Sequence, residues 1–362
     1  MNSRIHVVRP REMTPEDLAR WDELQAMAPG PAAANPFMSA YFARAVDRTR
    51  PDTRVAVVRR DGEPVAYFPY QRGRFGHGTA LGMGVSDHQG AVVHPRENPD
   101  PKHLLEVCSL NSWEFNHLGG EQRLFIPHAT GRFTSPVIDL TPGFAHYEAQ
   151  LRSRSRSFLK GARAQERRLS RHLGPVRLVH DDRDPDALST LLAWKSAHYR
   201  RTGRRDPFAQ PWIDQLVRHL ATGTHPECRG VLSVLYAGER PVAAHFGLRS
   251  RTVFCCWFPS YDRALATYSP GRILFLHMIE AAAASGIQLF DFGRGDAAYK
   301  DSFKTGHVSV HEGVLRRATP GAALHWARRE PVRAAHRVVR RHPGLRSAVL
   351  RTMSAVGALR DR

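Results

Sequence analysis

The stretch from 252 to 292 constrains the fold most, because it reads as strand, loop, helix and strand in direct succession. Residues 252–258 carry aromatic, β-branched and sulfur side chains, the composition of a buried strand. After a loop at 264–271, a helix is predicted over 272–285, followed by a second strand at 288–292. The helix start is marked by Tyr268-Ser269-Pro270-Gly271-Arg272. Serine is read as the cap, proline as the first turn, and glycine as the residue that leaves the amides open to a ligand. Four unpaired N–H groups at such an end make an anion site, with Arg272 placed to add charge. Ile273, Leu274, Phe275, Met278 and Ile279 are predicted to be core, and Gly286 ends the helix. Such a unit requires an α/β architecture.

Directly after the second strand comes Asp291-Phe292-Gly293-Arg294-Gly295-Asp296, then Tyr299-Lys300-Asp301-Ser302-Phe303-Lys304. Glycines at 293 and 295 allow a sharp turn at the strand's carboxyl end, where open α/β sheets bind ligands. The chain has 48 arginines and five lysines, and two of the five lie here. In an arginine-biased sequence this points to a place that wants the smaller, more easily deprotonated ammonium.

The rest of the chain organises around two lobes. In the first, 5–140, Thr14-Pro15-Glu16-Asp17 opens a helix, a second helix covers 39–46, and strands at 53–58 and 64–70 meet over Asp61-Gly62. A glycine-rich stretch, 73–90, contains Ser86-Asp87-His88-Gln89-Gly90, and a strand begins at Trp113. One long helix is predicted over 144–172, ending at Gly174-Pro175, with arginines not confined to one face. The second lobe begins near Val176, with helices at 184–200 and 211–221 and a hairpin of 231–237 and 241–248. Helices followed by a hairpin in both lobes suggest an internal duplication. Beyond Arg316, two short basic amphipathic helices are predicted.

The formal charge is +19. The segment 152–177 carries nine basic residues against Glu166, and 316–362 carries twelve arginines against Glu330 and Asp361, so the remainder is near neutral. Such segments fit nucleic acid, an anionic membrane surface or a phosphorylated substrate. They lack interleaved aromatics and any zinc-finger or RNA-binding signature. Cys108, Cys228, Cys255 and Cys256 show no metal-ligand spacing and read as buried apolar residues in a reducing compartment. With no signal-like start and no apolar run of roughly 18 residues, a cytoplasmic location is expected, peripheral to the membrane if the tail lies on lipid.

The pattern Pro241-Val242-Ala243-Ala244-His245, Tyr261-Asp262, Tyr268 to Gly271, Asp291 to Gly295 and Tyr299-Lys300 resembles the BioF2-like and CelD-type acetyltransferases of the GNAT superfamily, relatives of the Fem aminoacyltransferases. The resemblance covers about 151–313. It implies tandem GNAT-like lobes at 1–143 and 144–315, each a mixed, mainly antiparallel sheet flanked by helices, with a basic connecting helix at 144–173 and a tail at 316–362. It implies transfer of an acyl group from acetyl-CoA or another acyl-CoA to an amine by direct attack, without a metal. His245 and Asp291 are then candidate bases, on neighbouring strand positions; Tyr299 and Lys300 complete the catalytic set. Tyr268, Ser269, Pro270, Gly271 and Arg272 would hold the donor, and Asp87, His88, Arg294 and Lys304 the substrate groups. The acceptor implied is an amino sugar of an envelope or exported polysaccharide. The helix start departs from the usual GNAT phosphate signature, which keeps a charged tRNA open as donor, and a non-catalytic nucleic-acid or membrane-surface protein remains the reading from another class.

Overall fold

The computed structural model describes residues 3–295 and 297–319; the tail from 320 onward and Asp296 lie outside the described residues. Local rules place the first elements where the sequence puts them. Thr14 accepts the Asp17 amide and caps α1 (Pro15–Ala26), and Ser39 accepts the Phe42 amide and caps α2 (Ala40–Thr49). Strands β2 (Thr53–Arg60) and β3 (Glu63–Arg72) pair antiparallel across Asp61 and Gly62, both at positive φ, as a tight hairpin requires. In the second half α6 (Pro185–Arg201), α7 (Pro211–Ala221), β9 (Arg229–Ala237) and β10 (Arg240–Arg249) repeat the succession of two helices and a hairpin.

The remaining strands are β1 (Ser3–Val8), β4 (His77–Ala80), β5 (Val92–Val93), β6 (Ser112–Gly119), β7 (Ala129–Asp139), β8 (Val176–Asp182), β11 (Val253–Tyr261), β12 (Leu289–Asp291) and β13 (Gly306–Arg316). Together they form one sheet in the order β1-β2-β3-β4-β6-β13-β7-β12-β11-β10-β9-β8, with β5 paired to β3. Read inward from either edge, the order is the same: β1, β2, β3, β4, β6 on one side and β8, β9, β10, β11, β12 on the other. Each side contains one parallel pair, β4 with β6 and β11 with β12, and the other ladders are antiparallel. The internal duplication is therefore visible in the topology.

At the centre the two halves exchange strands. Strand β7 leaves the first half to pair with β12 of the second, while β13 returns from the second half to pair with β6 of the first. The exchanged strands pair with each other, from Gly306 opposite Val137 to Gly313 opposite Ala129. Sequence reasoning did not foresee β7 or β13. β13 is largely half-buried, and β7 runs from a partly exposed start into four buried residues, 135–138; both mix small, polar and charged residues with few apolar ones, so neither reads as a plain apolar–polar strand.

Helices cover both faces. Alternate side chains of the strands separate accordingly: Val55, Val57 and Tyr67 join the core with Trp21, Phe42, Leu191, Leu216 and Phe246, under α1, α2, α6 and α7. Ala56, Phe68, Trp113 and Phe125 pack on the other face of the first half, under α3 (Pro101–Val107). On that same face of the second half lies α8 (Pro270–Ala284), whose Ile273, Leu274, Met278 and Ile279 are fully buried.

The single helix expected over 144–172 is two. Ser155, at φ −156° and ψ 79°, cannot continue a helix, and it separates α4 (Phe144–Arg154) from α5 (Arg156–Leu173). With the break in place, most of the basic residues of α5 form one stripe, with Arg168 off it and over the Tyr268 ring. Arg156, Lys160, Arg163, Arg167 and Arg171 recur at helical spacing and most are exposed, whereas Leu159, Ala162 and Leu169 are buried against α8. The four cysteines are free and buried, as expected. Among the described residues no helix is long and apolar enough to cross a membrane.

Gly313 sits at the irregularity in β13, where an added Cβ would lie 2.3 Å from the His128 carbonyl oxygen. Gly313→Ala should lower stability by about 1–3 kcal/mol through overpacking. Because β13 joins both halves, urea unfolding followed by tryptophan fluorescence and by far-UV dichroism should shift together, as one transition.

Candidate functional site

The parallel pair β11/β12 frames the site. Their ladder holds only Val253–Cys255 against Leu289–Asp291, although β11 runs on to Tyr261. Past Asp291 the chain turns away at Gly293, φ 71°, so the edge of β11 from 256 to 261 has no strand partner on that side among the described residues.

The corresponding gap in the first half, between β4 and β6, is filled. Gln89 forms a parallel bridge to Leu118, its amide donating to the His117 carbonyl (2.9 Å) and its carbonyl accepting from Gly119 (3.1 Å). Its side-chain oxygen accepts from the amides of Asn116 (2.9 Å) and His117 (3.0 Å). The Gln122 side chain grips both the amide and the carbonyl of Ala91. The segment 86–91 is thereby pinned into the first half's gap, and its Asp87 is presented to the second half's gap.

Asp87 approaches so closely that a Cβ on Gly293 would lie 2.9 Å from its Oδ2. Its Oδ1 is 3.6 Å from His117 Nε2. Burial, and then the neighbouring charge of Asp291, push its carboxyl up to about 7, against the pull of Lys300 and His88. Asp291 is itself raised by burial. Opposing that rise, its Oδ1 accepts the Ser135 hydroxyl (2.5 Å) and the Gly293 amide (2.8 Å). His88 is bonded to Glu121 at 2.9 Å; burial opposes its charged form, but the carboxylates of Glu121, Asp291 and Asp87 together raise it. Gly119 leaves room for that pair, since a Cβ there would lie 2.4 Å from His88 Nε2. His117, by contrast, is pushed down to about 3 by burial and by the Arg294 charge.

The structure brings Asp87, His88, Asp291, Arg294 and Lys300 together. Lys300 is buried and donates to the Gly293 and Arg294 carbonyls (2.8 and 3.3 Å), which ties down the turn. Arg294 donates to the Asn116 carbonyl (2.8 Å) and pairs with Glu312 (3.0 Å), stacked over Phe133, so it joins β6, β13 and β7. Tyr299, 39% exposed, stacks on Phe275; desolvation raises its phenol above the usual value. Lys304 lies at the surface and pairs with Asp301.

His245 and Asp291 are not strand neighbours: β11 lies between β10 and β12. His245 is fully buried beside Phe254 and Phe275, and burial pushes it down to about 3. A histidine so low takes a proton poorly at neutral pH.

The donor end also differs from expectation. Ser269 adopts the left-handed conformation (φ 52°, ψ 48°) and makes no side-chain cap. Pro270 has no N–H, and the amides of Arg272 and Ile273 return to the Ser269 carbonyl (2.9 and 3.4 Å). Of the four amides expected, only that of Gly271 has no partner among the described residues. Arg272 is exposed with its guanidinium over Phe158, and the Tyr268 hydroxyl meets His172 Nδ1 at 2.8 Å with Arg168 above the ring. The basic α5 therefore flanks this end.

Lys195 on α6 went unnoticed in the sequence. It donates to the Pro259 carbonyl (2.9 Å), and burial, then the charges of Arg204 and Lys300, push it down to about 8. Its signal was its rarity, as one of five lysines. Among the described residues no group of histidine, cysteine and carboxylate side chains is arranged to hold a metal.

A carboxyl raised on folding binds its extra proton in the native state, so stability falls as pH rises between its unfolded value, about 3.9, and its native value. For Asp87 that window ends at about 7. Asp87→Asn should accordingly be more stable than the parent, by an amount that grows from pH 4 to 7 and levels above it, reaching a few kcal/mol in order of magnitude. Urea midpoints measured from pH 4 to 9 check this.

Residues 156–301 match the family model described as the acetyltransferase (GNAT) domain. Solved structures share the fold over most of the chain at low identity. FemX aligns with a TM-score of 0.57 at 10% identity, covering 87% of this chain and 96% of its own. A tandem GNAT protein from the clavulanic acid biosynthesis pathway aligns at 0.52 and 11%, covering 87% and 98%. A conserved protein of unknown function from Bacteroides thetaiotaomicron aligns at 0.54 and 13%, covering 86% and 100%. At these identities the likeness is one of fold. A search of curated proteins gave no match. By its match to that model the segment 156–301, which includes the β11–α8–β12 unit, is an acetyltransferase (GNAT) domain, set in a chain whose fold is shared with FemX and a tandem GNAT protein.

Proposed function

We propose that the chain transfers an acyl group, acetyl in the simplest case, from a CoA thioester to an amine. The donor would lie along the open edge of β11, with its phosphates at the start of α8. The single observation that carries this reading is Asp87, a carboxyl with a value near 7, delivered into the gap between β11 and β12. A base poised near the working pH is what the reaction needs.

In the step proposed, the acceptor's nitrogen lone pair forms the C–N bond at the thioester carbonyl and Asp87 takes the proton released. Collapse of the tetrahedral intermediate breaks the C–S bond, and the departing thiolate takes a proton from Tyr299, whose phenol stays protonated at neutral pH. Arg272, the Gly271 amide and the arginines of α5 supply the positive field for the phosphates. His88, Arg294, Lys300 and Lys304 remain as groups that shape or border the acceptor side. The resemblance to BioF2-like and CelD-type enzymes favours an amino sugar destined for envelope or exported polysaccharide, acetylated on the cytoplasmic side.

The exposed basic stripe of α5 favours a second reading, in which the donor is an aminoacyl-tRNA; the shared fold with FemX agrees with it. Salt separates the two, since binding through many phosphates collapses steeply with ionic strength whereas binding of one CoA changes little.

Titration calorimetry with acetyl-CoA should show saturation at one donor per chain, because the segment 86–91 fills the first half's gap. Gly271→Glu should weaken binding by about tenfold or more through charge repulsion, yet leave the helix intact, since an acid suits a helix start. No binding to any acyl-CoA, or two donors per chain, would overturn the reading. With acetyl-CoA and a panel of amino sugars, Asp87→Asn should lower kcat by about 10²–10⁴-fold, followed by release of free CoA thiol.

A further inference from the structure

His245 and Trp257 have a place in the molecule that neither core packing nor proton transfer accounts for. Strand β11 carries one residue more than β10 opposite it: Phe258 faces Phe246 and Cys256 faces Gly247, so Trp257 has no partner. The bulge leaves the Trp257 amide without a ladder carbonyl, and it donates instead to His245 Nε2 at 3.2 Å. The ring reaches that amide only because residue 247 is glycine; a Cβ there would lie 2.7 Å from His245 Cε1 and 2.6 Å from the Cys255 carbonyl oxygen. Accepting at Nε2 puts the ring proton on Nδ1, which is buried and has no partner among the described residues. An apolar side chain would fill the same space without that cost.

The indole of Trp257 points the other way. Its Nε1 donates to the carbonyl of Val85 at 2.5 Å, in the first half of the chain and two residues before Asp87. The ring is held by Phe37, Phe246 and Phe258. One residue is thus fixed at its amide by the second half and at its indole to the segment that carries Asp87.

We infer that His245 and Trp257 form a clamp across the two halves, in which the neutral imidazole sets the bulge and the indole holds the 85–87 segment so that Asp87 stays against Gly293. Both act through Asp87 and are positioning residues, and this role rests on the transferase reading only for its use in catalysis. The charged and titratable groups around Asp87 are His88 on its own segment, His117 on β6, Asp291 on β12, Lys300 on α9 (Ala298–Phe303), Tyr199 on α6 and the thiols of Cys255 and Cys256 on β11, which burial keeps protonated. None of them is altered by substitutions at 245 or 257, so a change in Asp87's titration reports its placement.

The test uses the full chain with its aspartates 13C-labelled at the carboxyl carbon, the Asp87 signal being assigned by its loss in Asp87→Asn. Trp257→Phe keeps the ring and removes only the indole N–H. His245→Phe removes the acceptor, and His245→Gln restores an acceptor oxygen at similar reach. In Trp257→Phe and His245→Phe the Asp87 midpoint should fall by about one pH unit or more as water reaches the carboxyl, and His245→Gln should return toward the parent. Acetyl-CoA binding is read on the parent chain, because Trp257 itself lies on the β11 edge along which the donor would run. Should His245→Phe fail to fold, Trp257→Phe decides alone. An unmoved Asp87 midpoint in Trp257→Phe would overturn the clamp. A parent chain that binds no acetyl-CoA, with the midpoint still moving, would overturn the transferase reading and leave the clamp standing.

Discussion

The pairing of β7 with β13 is the contact on which the rest of the structure depends. Each half of the chain, folded by itself, would end in a strand with its neighbour missing, and exposed strand edges are a liability that folded proteins cover. Exchanging the last strands solves this for both halves at once and makes a single continuous sheet. It also fixes the distance between β6 and β12, whose carboxyl ends carry the polar residues. Arg294 bonding to the Asn116 carbonyl and Glu312 over Phe133, and Ser135 bonding to Asp291, are consequences of that exchange. Neither half contains the site alone.

The duplicated gap has been put to different uses. In the second half it stays open beside β11, while in the first half two glutamines replace the missing strand with their own amide groups. A side-chain amide has the donor and acceptor of a peptide unit, so Gln89 and Gln122 can satisfy strand edges in a place too irregular for a strand. The segment they hold is then free to carry Asp87 across to the other half. The closure of one gap thus supplies a functional group to the other.

Much of this architecture is legible in the sequence where the signal is local. Thr14, Ser39, Asp61-Gly62 and the 211–221 helix are read correctly because caps, turns and apolar periodicity act over a few residues. The strand–helix–strand unit at 252–292 is readable for the same reason. What the sequence hides is set by distant partners. Strands β7 and β13 pair only with strands of the opposite half, which nothing local in their mixed composition announces, and the α4–α5 break depends on the backbone of Ser155, which no neighbouring proline or glycine announces. Ser269 looks like a cap by residue type, but its left-handed backbone turns the side chain away from that task. Asp87 and His88 stand out in the sequence as substrate-holding candidates of the first lobe, but the pinning of 86–91 that carries Asp87 to Gly293 is set by Gln89 and Gln122 and needs the fold.

The electrostatics of the site follow from the same geometry. Asp87 and Asp291 are two carboxyls drawn into one buried place, and two such groups do not both ionise freely. Asp291 is the better solvated by the protein, since a hydroxyl and an amide already point at it, and Asp87 carries the more exposed oxygens, with its side chain 23% accessible. The group with fixed hydrogen bonds is suited to hold the turn after β12, and the group without them is suited to exchange a proton with an incoming amine. Lys300 stabilises both anions, but its ammonium is committed to the Gly293 and Arg294 carbonyls, so it adjusts their charge without filling the gap. Burial and the neighbouring Asp291 raise Asp87, while the β7–β12 ladder of the central exchange fixes Asp291 and its Ser135 partner in place beside it.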